Sequence, residues 1–347
     1  TVVSSYGEIY DRNGKKLVNR SERYIAVIDP ETAHRDELEA HVTDREKYES
    51  CIDGNALFLC EVDTPTLTSA TVIPVSERYG SDCLCAHIIG YTSGDKGVCG
   101  LEMAYDELLR VPRSYVDLNY SVDARGDLLE GDGIDMKWVS SFKTGIYTSI
   151  DYAVQKAAET AMADVKKGAA IVMDISTGEI CAVVSKPVFD PSHPELSLDD
   201  PDSPFINRAF SAYSVGSVFK LVTAGAALEY GISDEYAYDC TGSITVRQDK
   251  FGCHRFGGHG RLDMRQAMVE SCNPYFISLG QDIPASFLHD FAAGLGFGEG
   301  KTFALGLASA KGNLPTEGEL LVPEEKANFS FGQGRLTATP LQVTMMT

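Results

Sequence analysis

The pattern of apolar and polar residues divides the chain into two parts of different texture. Up to about residue 145, short apolar runs alternate with charged stretches and no long helix is predicted. An alternating run enters and leaves Asn13-Gly14, which is typical of a β-hairpin, and Ile25–Ile28 is a further short strand. We therefore predict a mixed, strand-rich N-terminal module over residues 1–145 and a second domain over residues 146–347.

The second part has longer helices and one clear hairpin. Helical spacing covers Tyr152–Val165, and two apolar runs, Ala169–Asp174 and Glu179–Ser185, flank a turn that predicts a hairpin. Ser217–Tyr230 is an apolar helix, and Thr339-Pro340 starts another, with a cap followed by proline. This mixture of hairpins and helices predicts an α+β fold.

Composition and charge exclude several classes of protein. Hydrophobic residues make up 44% of the 347 residues, which excludes wholesale disorder. Thirty basic residues against fifty acidic residues give a net charge of −20, which argues against nucleic-acid binding and against docking on anionic lipid. No apolar run approaches the ~18 residues that a membrane span needs.

The nine cysteines leave more than one interpretation open. A group of potential metal ligands lies within twenty residues: Cys240, Cys253, His254 and His259. A zinc site, a Cys240–Cys253 disulfide and buried free thiols are all compatible with this spacing. Adjacent Cys253 and His254 argue against zinc, because paired zinc ligands are usually separated by two or more residues. We therefore assign no metal and no cofactor from the sequence.

The first candidate for catalysis is Ser217-Val218-Phe219-Lys220. Positions i and i+3 lie on one face of a helix, so the lysine amine can reach the serine hydroxyl. A serine hydroxyl needs an adjacent base to become a nucleophile, and lysine can serve where burial lowers its pKa. Gly216 allows close backbone approach, and the helix N-terminus makes the Ser217 backbone N–H a candidate oxyanion donor. An isolated S-x-x-K is also common among solvated helix residues.

The second candidate is Ser271-Cys272-Asn273. Alternate residues of a short loop can point two polar side chains into one cleft. The Ser271 hydroxyl can pass on a proton, and the Asn273 amide can hydrogen-bond a peptide carbonyl. The alternative is an ordinary helix start, since Ser, Asn and then Pro274 form a normal helix entrance.

Together, the two motifs resemble those of penicillin-binding proteins, the serine D,D-transpeptidases that cross-link bacterial peptidoglycan. Flanking segments agree with the family: the G-x-I-x-D-R-N-G-x-x-L pattern of Gly7–Leu17, the A-H-I-I-G-Y of Ala86–Tyr91, the G-Q-G of Gly332–Gly334, and the T-P-L-Q of Thr339–Gln342. The layout resembles the class B, monofunctional members, because no glycosyltransferase-sized domain precedes the transpeptidase part.

The resemblance implies a fold, an activity and partners. The fold would be a β-lactamase-like transpeptidase domain, an antiparallel sheet flanked by helices, preceded by a pedestal- or dimerisation-like module. Ser217 would be acylated by a stem peptide or by a β-lactam, with Lys220 as base, Ser271 as proton relay and Asn273 as substrate-binding residue. Partners would include other cell-wall synthesis proteins.

The resemblance also implies the extracytoplasmic face of the bacterial cell membrane, with an anchor in an N-terminal segment outside this chain. Two alternatives stay open: a β-lactamase or D,D-carboxypeptidase on the same fold, and a non-catalytic penicillin-binding scaffold or sensor.

Two departures from the family pattern affect these expectations. The middle residue of the second motif is Cys272 instead of Asp. The only K-T-G, at Lys143-Thr144-Gly145, precedes the nucleophile, whereas in the family this motif follows S-x-N. We therefore expect Lys143 to lie outside the cleft and the chain to be C-terminally incomplete. We also expect the 347-residue chain to react poorly with β-lactams, and the complete gene product to react well.

Overall fold

The computed structural model describes residues 1–80, 82–94, 96–122, 134–140 and 145–347. These residues form two compact units. The first contains residues 1–159 and 188–201, and the second contains residues 160–187 and 202–347. The functional division into 1–145 and 146–347 stays a prediction. No helix within the described ranges is long and apolar enough to cross a membrane.

The first unit is rich in short strands. Its strands are β1 (Val2–Ser5), β2 (Glu8–Tyr10), β3 (Ser21–Ile28), β4 (Phe58–Val62), β5 (Thr71–Glu77), β6 (Thr92–Ser93), β7 (Lys96–Gly97), β8 (Ser114–Asn119), β9 (Asp135–Ser140) and β10 (Gly145–Tyr147). Its helices are α1 (Arg35–His41), α2 (Arg45–Cys51), α3 (Ala86–Ile89), α4 (Gly100–Ala104) and α5 (Asp106–Leu109), with a 3₁₀ turn at Pro194–Ser197. α6 (Tyr152–Ala161) contains the division between the units.

Two antiparallel sheets organise this unit, in the orders β4-β3-β5 and β1-β8-β9. Alternation along β3 decides its packing, because successive side chains of a strand point to opposite faces. Ala26 and Ile28 are buried in one cluster with Leu38 of α1, whereas Val27 is buried in another with Val116 of β8. The strand predicted at Ile25–Ile28 is therefore confirmed and is longer than the sequence pattern indicated.

The hairpin predicted around Asn13-Gly14 forms only in part. The Leu17 N–H donates to the Ile9 carbonyl at 2.8 Å, but the returning segment contributes a single bridge, Tyr10 to Lys16. The strand β2 pairs instead with β10, in parallel. Sequence pattern alone does not show this partner, because the two strands are more than 130 residues apart.

The second unit contains the remaining elements. Its strands are β11 (Gly168–Met173), β12 (Ile180–Lys186), β13 (Tyr213–Ser214), β14 (Tyr238–Cys240), β15 (Ser243–Val246), β16 (Asp249–Gly252), β17 (Gly260–Leu262), β18 (Thr302–Ala304), β19 (Leu307–Ala308) and β20 (Thr337–Ala338). Its helices are α7 (Lys220–Tyr230), α8 (Met264–Val269), α9 (Asn273–Gln281), α10 (Ala285–Gly294), α11 (Glu317–Leu320), α12 (Pro323–Ser330) and α13 (Pro340–Met346), with a 3₁₀ turn at Gly216–Phe219. The predicted hairpin is confirmed as the antiparallel pair β11–β12.

Aromatic side chains form the centre of the second unit. Phe219, at the end of the 3₁₀ turn, is fully buried and contacts the rings of Phe297 and Phe329 edge to face, at centroid distances of 5.2 and 4.7 Å. Such edge-to-face contacts add to the hydrophobic term of burial. The apolar helix predicted from Ser217 is confirmed, although its first turn is 3₁₀. Through Phe219, the turn that carries Ser217 is therefore anchored to the core.

The α+β fold predicted from the sequence is confirmed by these sheets and helices.

Candidate active site

The turn before Ser217 depends on two glycines. Gly216 has φ +69° and Gly332 has φ +80°, a region that side-chain-bearing residues rarely adopt. The Gly216 N–H donates to the Gly332 carbonyl at 2.8 Å. A Cβ added to Gly332 would lie 2.0 Å from the Gly216 carbonyl oxygen. Close backbone packing thus holds Ser217 at the surface, where it is exposed.

Lys220 begins α7 one helical turn after Ser217. Its side chain is buried, with 1% of the residue exposed, and Nζ lies 3.1 Å from the Ser217 Oγ. The Phe276 ring lies 5.8 Å from Nζ. Burial lowers the pKa of Lys220 from 10.5 to about 8, although Cys272 and Cys253 act in the opposite direction. A measurable fraction of this amine is therefore neutral near physiological pH, as a general base requires.

The second motif approaches the same amine from α9. The Nζ of Lys220 donates to the Ser271 carbonyl at 2.7 Å and lies 2.8 Å from the Ser271 Oγ. It also donates to the Asn273 Oδ1 at 2.7 Å. Ser271 has φ +49°, and strained backbone of this kind persists only where the surrounding structure holds it. In this conformation both oxygens of Ser271 lie near one amine.

The structure thus brings together all four side chains that the sequence singled out: Ser217, Lys220, Ser271 and Asn273. A hydroxyl beside a partly neutral buried amine, with a second hydroxyl on the same amine, is a set of groups suited to acyl transfer through a serine ester. The predicted use of the Ser217 N–H as an oxyanion donor stays a prediction.

The K-T-G triplet lies only partly within the described residues. Gly145 begins β10, which pairs with β2 of the first unit. Lys143 and Thr144 lie outside the described residues, so the expectation that this triplet is not part of the site stays a prediction.

Comparison with known proteins agrees with the geometry. Residues 168–347, just over half of the chain, match the family described as "Penicillin binding protein transpeptidase domain". The chain belongs to this family. The resemblance seen in S-x-x-K and S-x-N is thereby confirmed, and both motifs lie inside the matched transpeptidase domain.

Individual relatives extend the match beyond this domain. The peptidoglycan D,D-transpeptidase MrdA of Acinetobacter baumannii is 31% identical over 319 residues, which cover 79% of this chain and 45% of the relative. The stage V sporulation protein D of Bacillus subtilis is 28% identical over 375 residues, covering 97% of this chain and 56% of the relative. The chain therefore spans about half the length of these curated relatives.

Solved structures show the same fold. The penicillin-binding protein PBP2 from Helicobacter pylori superposes with a TM-score of 0.70 at 23% identity, covering 99% of this chain and 75% of that one. A structure titled "Structural coordination of polymerization and crosslinking by a peptidoglycan synthase complex" gives a TM-score of 0.71 at 25% identity, covering 99% of this chain and 69% of the other.

Sequence reasoning found three members of a side-chain group near this site and missed the fourth, Cys272. The side chains of Cys240, Cys253, His259 and Cys272 converge. His254, which the sequence analysis had included, is exposed and lies beside the His259 ring. Cys272 was overlooked because it was interpreted only as the middle residue of S-x-N. The sequence did hold a signal for this group, because Cys240 and Cys253 have the same spacing as His259 and Cys272.

Proposed function

We propose that the protein is a peptidoglycan D,D-transpeptidase that cross-links stem peptides through an acyl-enzyme on Ser217, and that β-lactams acylate the same serine. The single observation that carries the proposal is the position of the Lys220 amine, 3.1 Å from the Ser217 Oγ and 2.8 Å from the Ser271 Oγ. One base is thereby in reach of both the nucleophile and a second hydroxyl.

Acylation follows from these distances. Neutral Lys220 takes the proton of the Ser217 hydroxyl as its Oγ attacks the carbonyl carbon of the D-Ala-D-Ala bond. The tetrahedral intermediate collapses and the C–N bond breaks. The proton passes from Lys220 through Ser271 to the nitrogen of the leaving D-Ala, and the Ser217 ester remains.

Deacylation reverses the proton path. The amine of a second stem peptide attacks the ester carbonyl and loses a proton to the same Lys220–Ser271 pair, and the Ser217 Oγ leaves as a hydroxyl. A new amide bond joins the two peptides. Asn273 holds its Oδ1 against Lys220, and its Nδ2 lies 3.4 Å from the Gly252 carbonyl, so this side chain orders the cleft wall where the acyl chain would lie.

The proposed cellular location and partners are those that a peptidoglycan substrate requires. Peptidoglycan is assembled outside the cytoplasmic membrane, so we place the site on the extracytoplasmic face, with the predicted anchor still to be tested. One structural relative is titled as a complex between PBP2 and MreC, and another as a peptidoglycan synthase complex. We propose that this protein likewise works with other cell-wall synthesis proteins.

Labelling by a fluorescent penicillin tests the proposal on the protein that contains these residues. We expect one covalent label per protein, located by peptide mass spectrometry on the peptide that carries Ser217. The Ser217→Ala variant should lose the label. Ser214→Ala is the matched control, because Ser214 is an exposed serine three residues away, and it should label normally.

The fate of the label separates the alternative functions. A label that persists for many minutes, together with formation of dimeric stem peptides from a D-Ala-D-Ala substrate, supports a transpeptidase. Rapid release of hydrolysed penicillin would identify a β-lactamase, and release of D-Ala without dimers would identify a carboxypeptidase. A persistent label with neither dimers nor released D-Ala would identify a non-catalytic penicillin-binding scaffold or sensor. A folded protein that takes no label would also show that the proposal is wrong.

A further inference from the structure

Four exposed basic side chains lie on one segment of the second unit, close to the S-x-N motif. They are Arg247 at the tip of the hairpin β15–β16, Lys250 in its second strand, Arg255 in the loop that follows, and Arg261 in β17. We propose that this basic surface binds the second stem peptide, the acceptor of the cross-linking reaction, through its carboxylate. The inference rests on the proposed function and assigns the place where its second substrate is recognised.

The charge of this segment is opposite to that of the whole chain. Residues 247–261 contain four basic residues and one acidic residue, a net charge of +3, whereas the chain carries −20. A protein surface that negative repels anions at long range, so a local excess of positive charge favours the approach of an anionic peptide. Stem peptides end in D-Ala, whose terminal carboxylate is ionised at neutral pH. The segment therefore has the charge that complements this substrate.

The four side chains of the basic surface have no partners inside the protein. Within the described residues they make no hydrogen bond and no ion pair. By contrast, two other arginines of the second unit are held, Arg208 by backbone carbonyls and Arg335 by Glu319. Even Asp239, the strand partner of Arg261, forms no ion pair with it. The guanidinium and ammonium groups of this surface thus keep their N–H donors available for a carboxylate of a ligand.

The hairpin β15–β16 is fixed in place by its other face. Val246 and Phe251 lie in a hydrophobic cluster with Ile277 of α9. Successive side chains of a strand point to opposite faces, so Lys250, which pairs with Thr245, is on the solvent face. Packing on α9 therefore holds this cation at a constant place relative to the S-x-N motif at the start of that helix.

The loop after the hairpin adds an aromatic ring to the cations. Phe256 follows Arg255 directly and is 99% exposed. The backbone of this loop packs closely on the start of β15, because a Cβ added to Gly242 would lie 2.2 Å from the Phe256 carbonyl oxygen. Arginine and phenylalanine are both enriched at recognition surfaces. The Phe256 ring can pack on the methyl group of an alanine while Arg255 pairs with its carboxylate.

The basic surface begins where the reaction takes place. The Nδ2 of Asn273 lies 3.4 Å from the Gly252 carbonyl at the end of β16, and its Oδ1 lies 2.7 Å from the Lys220 amine. That amine is 2.8 Å from the Ser271 Oγ, and in the proposed mechanism these two groups take the proton of the attacking amine. An extended peptide of four or five residues spans ~13–18 Å, so an acceptor with its amine at Ser271 can extend along the hairpin.

The two steps of the reaction favour the acceptor over the donor as the ligand. The donor peptide loses its terminal carboxylate when D-Ala leaves, and an ester bond then holds it to Ser217. The acceptor has no covalent bond to the protein and keeps its carboxylate throughout. Non-covalent contacts alone must place its amine against the ester, and cations on a fixed hairpin supply such contacts.

Acceptor kinetics on the protein that contains these residues test the inference. The donor is a D-Ala-D-Ala peptide with a blocked amine. The probes are two acceptors of one sequence that end in a single D-Ala, one as the carboxylate and one as the carboxamide. For the carboxylate acceptor, Lys250→Gln/Arg255→Gln should raise the KM of dimer formation about 2–20-fold at low salt, since each exposed ion pair contributes a factor of about 1.4–5. The KM of the carboxamide acceptor should rise less.

The double variant Lys166→Gln/Lys167→Gln is the matched control. Both lysines are exposed in the same unit, before β11, and the two double variants remove the same charge. The control should leave the KM of both acceptors unchanged. For the unmodified protein, the preference for the carboxylate acceptor should largely disappear at 1 M salt, where the screening length falls to ~3 Å.

Three results would overturn the inference: equal KM values of the two acceptors in the unmodified protein, equal changes of KM in the two double variants, or an unchanged KM of the carboxylate acceptor in Lys250→Gln/Arg255→Gln. In each of these cases penicillin labelling of Ser217 and dimer formation continue, so the proposed function stands. A protein that takes no label and forms no dimers would instead refute the proposed function, and the inference with it.

Discussion

Replacing Gly332 by alanine should displace the nucleophile Ser217, although Gly332 has no side chain that could take part in the reaction. Its φ of +80° costs an L-residue ~1–2 kcal/mol. In addition, the new Cβ would lie 2.0 Å from the Gly216 carbonyl oxygen and 2.8 Å from the Phe219 Cβ. Relief of the first contact requires the Gly216 carbonyl to move by about 1 Å. We expect the free energy of unfolding to fall by about 2–5 kcal/mol.

The same movement should reach Ser217, which follows Gly216 directly. A misplacement of this size can lower a rate by about 10²-fold, so we expect a comparable loss in the rate of acylation by penicillin. The assay is the time course of fluorescent penicillin labelling at a temperature where the variant is folded, with urea denaturation for stability.

Gly178→Ala is the matched control. Gly178 has φ +72°, and an added Cβ would find no atom within 4 Å. This control carries the backbone cost without the clash, and its acylation rate should equal that of the unmodified protein. If Gly332→Ala matches Gly178→Ala in both stability and acylation rate, the contact between Gly332 and Gly216 does not position the nucleophile.

Three further outcomes are expected. Acylation should accelerate as the pH rises through about 8, because burial lowers the pKa of Lys220 to that value and only the deprotonated amine accepts a proton; a flat pH profile of labelling rate would contradict this. Thr339→Ala should cost about 0.5–2 kcal/mol in urea denaturation, because the buried Thr339 caps α13, and should exceed the cost of Thr316→Ala at an exposed cap of the same type. Glu102→Gln in the first unit should cost about 3–5 kcal/mol, because the buried Glu102 pairs both of its oxygens with the half-buried Arg78; a thermal denaturation midpoint equal to that of the unmodified protein would refute it.

Local sequence signals predicted the elements that depend on neighbouring residues. The hairpin β11–β12 and the helix after Ser217 follow from periodicity and turn residues, and the structure confirms both. The i, i+3 spacing of Ser217 and Lys220 also fixes their contact, since one helical turn brings them together. The convergence of Ser271 and Asn273 on Lys220 needed the family resemblance, because they are more than fifty residues away.

Long-range packing could not be derived from the chain. Nothing local predicts that β2 would pair with β10 in parallel, or that Gly332 would pack on Gly216. The proximity of Cys272 to Cys240 was not predicted, and the reason is different. A residue that already had one interpretation, as part of S-x-N, was not considered for a second role, and its partners come from strands whose arrangement is a tertiary property.

The hydrogen-bond partners of the Lys220 amine determine which serine can give it a proton at a given time. Four oxygen atoms lie within 3.1 Å of a nitrogen that has only three directions besides its own carbon. Two of those oxygens, the Ser271 carbonyl and the Asn273 Oδ1, can only accept, so they hold the two N–H groups of the neutral amine. The lone pair is then shared between two competing hydroxyls, those of Ser217 and Ser271. Each serine hydroxyl can turn its hydrogen toward or away from this lone pair by rotating about its own C–O bond, so the catalytic cycle can alternate between the two serines while the backbone stays still.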